Sequence, residues 1–277
     1  MDPKTHALFK QYPLTGTAQL STGAVPTPYH IYAGFGLFIG GTGDLAAARA
    51  LLRPEALSPV ATTDGRAVMG LWVCNFTQAS LGPHHELQVS VFVTERETPA
   101  IAPHPLAALT LVLTRPEVHM LCHGLWNNTA TVVAYNRELL SLNAQLTNSR
   151  IERTGDGVEF DFKDAAGGGL LAGRVAQARR AGAQATWTLM RALGIGRTLA
   201  VGRQPWLGLR VANPIGAGLS RNALAQTYTK NDTNVVRYFD RGADQLALSA
   251  PPYPAVDFRP ECVQYMDGFK FVYLPPE

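Results

Sequence analysis

Charged residues are scarce in this chain of 277 residues, at 16% of the total, whereas hydrophobic residues make up 46%. An ordinary globular domain carries about 25% charged residues. The composition therefore excludes a disordered chain or a coiled coil and predicts extensive buried surface. The 24 basic and 21 acidic residues leave a net charge of +3, which is more balanced than in most nucleic-acid-binding domains. We expect no nucleic-acid partner.

Cysteine is rare as well. Cys74, Cys122 and Cys262 lie far apart and form no CxxC pair, a pattern that is a poor disulfide framework and is typical of a reducing compartment. No apolar run approaches the ~18 residues that span a bilayer. The N-terminus has neither the basic start nor the apolar stretch of a signal peptide. These absences predict a cytoplasmic protein without a membrane partner.

Motifs of the common catalytic machineries are also missing. The sequence contains no GxSxG, GxGxxG or GxxxxGK[ST], so we predict neither a nucleophile elbow nor a phosphate-binding loop. Gly41-Thr42-Gly43 precedes a predicted helix, and we interpret it as a strand-to-helix turn. Lysine occurs five times, and no lysine stands out as a desolvated amine nucleophile.

The segments that are present read mainly as strands. Residue alternation and β-branched content predict strands at 29–39, 67–76, 85–93, 109–114, 117–125, 130–135, 158–162, 170–175, 207–211, 224–228, 235–239, 245–248, 262–265 and 269–274. Helices are predicted at 44–54, with Asp44 as its N-cap, and at 176–193, and a short helix or turn at 136–146. Regular strand–helix alternation is missing. We therefore predict an α+β, mainly β fold, an antiparallel sheet or barrel with a few added helices, as one domain of residues 1–277.

The segment from His85 to Val93 has the clearest alternation. Its aliphatic side chains share one face, and Glu86 and Gln88 share the other with His84. One interpretation places Glu86 inside a barrel cavity as a general acid or base, with His84 near the mouth. A cavity of low polarity raises the pKa of a carboxyl group toward useful values. The alternative is a solvent-facing strand edge.

His119 and His123, which are four residues apart, are candidate metal ligands. On a helix they would share a face and could bind a metal together with Glu86. In a strand they are ~13 Å apart, which is too far for one ion, and zinc requires three or four ligands at short, defined spacing. We expect no metal.

Several segments together resemble the acetoacetate decarboxylase superfamily. They are Pro28-Tyr29, the 44–54 helix with its Leu52-Arg53-Pro54-Glu55 end, His84-His85-Glu86, His119-Met120, Val133–Leu139, and the end of the chain from Gln245-Leu246-Ala247-Leu248 to Leu274-Pro275. Tyr135-Asn136-Arg137-Glu138-Leu139 looks like the Gly-Arg-Glu-Leu segment of the family, with Asn136 at the glycine. The resemblance covers most of the chain in the same order.

The resemblance implies a cone-shaped antiparallel β-barrel with a buried apolar cavity, a homo-oligomer, and no cofactor. Members of the family form a Schiff base between a lysine and a keto acid. The lysine pair of the family falls on Asn143–Gln145, where this chain has no lysine. The substrate-carboxylate arginine falls near Gly34 and one of two glutamates near Leu71; the second is kept as Glu86. We therefore predict that this chain does not decarboxylate acetoacetate.

Two functions are compatible with these residues, and a third is weighed beside them. The first is a cofactor-independent lyase or isomerase-type enzyme (dehydration, enolisation, cyclisation, lactone opening or decarboxylation-like chemistry) on a largely apolar, carbonyl-containing small molecule. Its general acid or base is Glu86, with His84 and His119 as helpers. The predicted substrate-binding residues are Tyr29, Trp72, Met120, Asn143 and Gln145. The alternative is a non-catalytic binding protein for an apolar metabolite, and the third possibility is a structural subunit of an assembly.

Overall fold

The computed structural model describes residues 3–177, 182–203, 206–212, 223–229 and 233–274. The strands are β1 Gly16–Leu20, β2 Gly23–Thr27, β3 Tyr29–Asp44, β4 Ser58–Pro59, β5 Arg66–Ala79, β6 His84–Thr94, β7 His119–Asn127, β8 Ala144–Arg153, β9 Gly157–Asp164, β10 Gly169–Ala176, β11 Trp206–Ala212, β12 Ala223–Thr229, β13 Thr233–Tyr238, β14 Gln245–Leu248, β15 Arg259–Asp267 and β16 Phe271–Tyr273. The helices are α1 Ala7–Gln11, α2 Leu45–Leu52, α3 Ala107–Thr114, α4 Ala130–Ala134, α5 Ala183–Leu193 and α6 Ile195–Arg203. Among the described helices, none has the length and apolar character needed to cross a bilayer.

Seven strands pair in a closed ring. The pairings run from β3 through β5, β6, β7, β11, β12 and β16 and return to β3. All of them are antiparallel except β7–β11. Strand β7 also pairs with β8 in parallel, and β8, β9, β10 and β14 continue as an antiparallel extension. The mainly antiparallel barrel expected from the sequence is confirmed, and the structure adds two parallel junctions at β7.

Both faces of the ring are buried, and each carries its own core. Side chains from β6 and β16 line one common hollow, although β3 and β5 separate these strands in the ring. This face is therefore concave, and we call its apolar cluster the inner core; its large members include Phe38, Phe76, Phe92, Met120 and Tyr273. The opposite face forms the outer core, where Leu37, Leu87 and Val89 pack with Phe160 and Phe162 from β9.

Two predicted strands are helices. Residues 109–114 belong to α3 and residues 130–134 to α4. In α3 the buried side chains of Ala107, Ala108 and Leu111 pack into the inner core, so the gain from burial on that face outweighs the strand preference of Thr and Val. Short apolar runs of this kind fit a strand or a buried helix equally well when only periodicity is considered.

Two further element boundaries differ from the sequence expectation. The predicted helix or turn at 136–146 is helical only through the π turn at Tyr135–Leu139, and β8 begins at Ala144. The predicted helix at 176–193 starts only at α5; its residues 178–181 lie outside the described residues. Helix α2 is confirmed with its cap, since the backbone N–H of Ala47 donates to Asp44 Oδ1 at 2.8 Å.

Gly41 lies within β3, where that strand meets β15. A Cβ atom on Gly41 would lie 2.1 Å from the backbone carbonyl oxygen of Arg259 and 3.0 Å from Cα of Pro260. The register of the β3–β15 pair shifts at Pro260, which brings the two backbones together. The glycine is therefore explained by a close backbone approach, and the strand runs through it as far as the Asp44 cap.

We expect Gly41→Ala to lower the free energy of unfolding by about 1–3 kcal/mol, because the new methyl group must displace backbone atoms. Chemical denaturation followed by circular dichroism measures this change. The matched control is Gly155→Ala, where nothing lies within 4 Å of an added Cβ. Equal stability of the two variants would contradict the close approach.

Candidate functional site

A small hollow lies on the concave face of the barrel. Its walls are formed by Trp72, Cys74, Phe76, Glu86, Gln88, Phe269, Phe271 and Tyr273. The space open to the centre of a water molecule is ≈ 20 Å³. One water molecule needs ~10–15 Å³ by this measure. The hollow thus holds about one water between aromatic walls and two polar side chains.

Glu86 is the carboxylate of this hollow. Its position in β6 directs it to the concave face, and its side chain belongs to a residue only 3% exposed. Burial raises the pKa of Glu86 from 4.5 to about 7, because the charged form loses its hydration, while the hydrogen bond from Asn127 works in the opposite direction. A carboxyl group with this pKa both donates and accepts a proton near neutral pH.

Two asparagines hold the carboxylate in a fixed arrangement. Strand β7 places Asn127 directly opposite Glu86 in the antiparallel pair, and Asn127 Nδ2 donates to Glu86 Oε2 at 3.2 Å. Asn136, in the π turn after α4, donates from Nδ2 to Asn127 Oδ1 at 2.9 Å. Because the Asn127 oxygen already accepts this bond, its NH₂ group is the end that faces Glu86.

Gln88 supplies an amide to the same wall, two residues along β6 from Glu86. Its Nε2 donates to Ser90 Oγ at 2.7 Å, and both residues are buried. An amide nitrogen carries two hydrogens, so one hydrogen remains beyond the bond to Ser90. The hollow therefore combines a proton-transfer group with a hydrogen-bond donor on one strand face.

His84 and Tyr29 form a separate pair of hydrogen-bonded side chains. His84 Nδ1 lies 2.9 Å from the carbonyl oxygen of Gly82, which can only accept, so Nδ1 carries the proton. Tyr29 then donates its hydroxyl hydrogen to His84 Nε2 at 2.5 Å. Burial lowers the pKa of His84 to about 4. Both ring nitrogens are engaged within the protein, so His84 orients Tyr29.

Trp72 and Met120 contact each other at the wall of the hollow. The Trp72 indole Nε1–H points at Met120 Sδ at 3.4 Å, and its ring packs on Phe38 with centroids 4.8 Å apart. Tyr29 stacks parallel to Tyr273, with centroids 5.8 Å apart. Of the predicted substrate-binding residues, Tyr29, Trp72 and Met120 thus lie in or against the inner core.

The other predicted site residues lie elsewhere. His119 pairs with Val93 at the opposite end of the β6–β7 ladder from Glu86 and lines a surface pocket with Glu117. At ~3.3 Å per residue the seven steps separate it from Glu86 by roughly 23 Å. His119 is therefore not a helper of Glu86 in this arrangement.

Asn143 and Gln145 also do not enter the hollow. Ala144 between them is buried in the inner core, and alternation along a strand turns its neighbours away. Gln145 is exposed, and Asn143 Nδ2 donates to the carbonyl oxygen of His123 at 3.3 Å. The residue of this segment that faces inward is an alanine, which has neither a nucleophile nor a polar group.

The described lysines lie outside the hollow. Lys4, Lys10 and Lys163 are exposed. Lys270 Nζ donates to the carbonyl oxygen of Gly268 at 2.8 Å; its neighbours in sequence line the hollow, so Lys270 is directed to the other side. The fifth lysine, at position 230, lies outside the described residues.

Sequence reasoning missed most of the partners of Glu86. Asn127 carries no local signal in the sequence, because its place opposite Glu86 depends on the register between β6 and β7. Phe269, Phe271 and Tyr273 follow an i, i+2, i+4 pattern near the end of the chain, a signal that could have identified a wall of the hollow. For Asn136, the departure from the glycine of the resembled family was the available signal.

Comparisons with known proteins place this fold. No protein-family model and no curated protein matches the chain. An acetoacetate decarboxylase from Legionella pneumophila aligns over 98% of this chain and 94% of its own, with a TM-score of 0.56 and 11% identity. A second structure of an acetoacetate decarboxylase aligns over 90% and 87%, with a TM-score of 0.53 and 14% identity.

A third solved structure is the enduracididine biosynthesis enzyme MppR complexed with pyruvate. It aligns over 89% of this chain and 88% of its own, with a TM-score of 0.53 and 10% identity. The chain has the acetoacetate decarboxylase-like fold. The resemblance inferred from short sequence segments is thus confirmed for the architecture, and at these identities the likeness shows the fold alone.

The raised pKa of Glu86 makes stability depend on pH in this acetoacetate decarboxylase-like barrel. The protonated form is favoured when the carboxyl group is buried, so its stabilising effect is fully present below about pH 4.5 and is lost as pH rises through 7. A shift of this size corresponds to about 3 kcal/mol. Relative to the native protein, Glu86→Gln should gain about that much unfolding free energy between pH 4.5 and pH 8, as measured by denaturation at both values. A difference that is independent of pH would contradict the shift.

Proposed function

We propose that this protein is a cofactor-independent enzyme that transfers a proton on a small, largely apolar carbonyl compound, with Glu86 as general acid and base and without a Schiff base. The observation that carries the proposal is a buried carboxyl group with a pKa of about 7, facing a hollow with aromatic walls. Perturbed carboxyl groups of this kind concentrate at catalytic sites. The two acetoacetate decarboxylases and MppR, which share the fold, are enzymes by name.

Proton transfer without an imine follows from which groups line the hollow. In the described part of the chain, the lysines lie elsewhere and Ala144 occupies the inward position of its segment. An amine nucleophile supplies the electron sink for decarboxylation of a keto acid. A carboxyl group with a pKa of about 7 instead suits removal and return of a proton at a carbon next to a carbonyl group.

The proposed step is an enolisation in which Glu86 accepts the proton and the carbonyl oxygen accepts the electron pair. The Glu86 carboxylate removes a proton from the carbon next to the carbonyl group, the C–H electron pair forms the carbon–carbon double bond, and the carbonyl π pair moves to oxygen. The remaining Gln88 amide hydrogen stabilises that oxygen. Protonated Glu86 then returns the proton to the oxygen, which gives the enol, or to the same carbon, which regenerates the starting compound and in D₂O exchanges its hydrogen.

The side chains that line the hollow support a neutral, apolar class of substrate. Aromatic rings dominate, and no basic side chain lines the described hollow, so a neutral compound fits better than a short keto acid. A substrate larger than a water molecule must displace a wall side chain. Trp72 is the wall residue that is partly exposed, and we place the entrance there.

The proposed chemistry predicts hydrogen–deuterium exchange. In D₂O the protein should exchange hydrogens next to the carbonyl group of neutral compounds such as 4-phenyl-2-butanone, cyclohexanone or δ-valerolactone, followed by mass spectrometry. Glu86→Gln should slow this exchange by about 10²–10⁴-fold, the usual contribution of a general base. Glu152→Gln makes the same chemical change on the exposed side of β8 and should keep the native rate.

Three outcomes would overturn this function. Exchange by Glu86→Gln at the native rate would show that Glu86 is not the base. Borohydride trapping of a covalent adduct between protein and ketone would show that the mechanism uses a Schiff base. Saturable binding of these compounds, without exchange or product, would favour the alternative of a non-catalytic binding protein. Acetoacetate should release no carbon dioxide above background.

Asn127 is proposed as a positioning residue for Glu86. Asn127→Ala removes the hydrogen bond that lowers the pKa of the carboxyl group, so the acidic limb of the pH–rate profile should move to higher pH. A purely structural role would lower the folded fraction of Asn127→Ala and leave the midpoint of its profile unchanged.

A further inference from the structure

Helices α5 and α6 expose large apolar side chains. Trp187 is 61% exposed, Ile195 71% and Leu199 56%, and Met190 is exposed as well. Among the described residues, Leu14 and Leu146 are the other exposed large hydrophobic residues. Apolar side chains exposed singly are ordinary, whereas several in one short stretch indicate an interaction surface.

Helix α5 packs on the barrel through the side opposite to these exposed residues. Ala185 and Leu189, which are four residues apart, pack into a cluster with Leu106, Val236 and Cys262, and Thr188 shares a hydrogen bond with Tyr238. Side chains three and four residues apart share a helix face. Trp187, Met190 and Arg191 are therefore on the side that faces away from the barrel.

The charged residues in the stretch of sequence around these helices are of one sign. Residues 165–231 contain nine of the 24 basic residues and none of the 21 acidic residues. Arg191 on α5 and Arg197 on α6 are exposed. The rest of the chain is acidic in balance, so the charge is strongly asymmetric along the sequence, which indicates an anionic partner.

We propose that α5 and α6 bind the surface of an anionic lipid bilayer. Helices that combine arginine with exposed tryptophan, leucine and isoleucine lie in the interfacial plane, where the apolar side chains enter the headgroup region and the arginines meet anionic lipids. A second copy of the chain in a twofold contact would bring these arginines together. Nucleic acid would use the arginines and leave Trp187 and Ile195 exposed to water.

The expectation of no membrane partner rests on the absence of segments that span a bilayer, and binding at the bilayer surface requires no such segment. It concerns a surface other than the Glu86 hollow, so it does not rest on the proposed catalytic function. A lipid surface is, however, a source of the neutral apolar compounds that the hollow would accept.

The experiment is flotation of the full-length protein with two kinds of vesicles, phosphatidylcholine alone and phosphatidylcholine containing phosphatidylserine, at low and high salt. We expect flotation with the anionic vesicles, weakened by salt. Arg191→Gln/Arg197→Gln should lower the partition coefficient about 25-fold, from about fivefold per arginine. Arg49→Gln/Arg150→Gln removes two charges from exposed ion pairs elsewhere and should bind as the native protein does.

A second variant tests the apolar contribution. Trp187→Ser/Leu199→Ser should also lose flotation, while keeping the circular dichroism spectrum and the thermal midpoint of the native protein. The proposal is overturned by absent flotation, by equal flotation with neutral vesicles, or by variants that bind unchanged. It is also overturned if Trp187→Ser/Leu199→Ser reduces the oligomeric state in sedimentation velocity while the native protein ignores vesicles, or if an oligonucleotide binds and vesicles do not.

Discussion

The burial of one carboxyl group against the inside of a closed barrel is the constraint on which the site depends. Charge on Glu86 is costly where it lies, because water is largely excluded and the walls are aromatic. An amide hydrogen bond from Asn127 offsets part of that cost. The result is a pKa of about 7 for Glu86. Both protonation states of the carboxyl group are therefore populated near neutral pH, as proton transfer requires.

The barrel topology creates this environment. Closure of the strand ring brings β6 and β16 to one hollow although two strands lie between them. The outer core fills the other face of β6 with aliphatic side chains, so the strand cannot turn Glu86 toward solvent. The register of the β6–β7 pair then sets Asn127 opposite the carboxylate, and the π turn delivers Asn136 to fix the amide.

Features that depend on residues close together in sequence were predictable, and features that depend on distant residues were not. Alternation along 85–93 is local, so the shared face of Glu86 and Gln88 could be predicted from the sequence. Short segments in the order of the resembled family were enough to predict the barrel. Asn127 could not be paired with Glu86, because the register joins residues about forty positions apart along the chain. The strand predicted at 130–135 was wrong because burial of Val132 and Tyr135 three residues apart on α4 and the π turn outweighed the β-branched composition.

The central claim is that Glu86 titrates near neutral pH inside the folded barrel, and infrared difference spectroscopy tests it most directly. The carboxylic acid band that is present in the native protein and absent from Glu86→Gln should disappear with a midpoint near pH 7. A midpoint near 4.5, the ordinary value for a glutamate, would contradict the account, since a carboxyl group with that pKa is hydrated and has no special capacity for proton transfer.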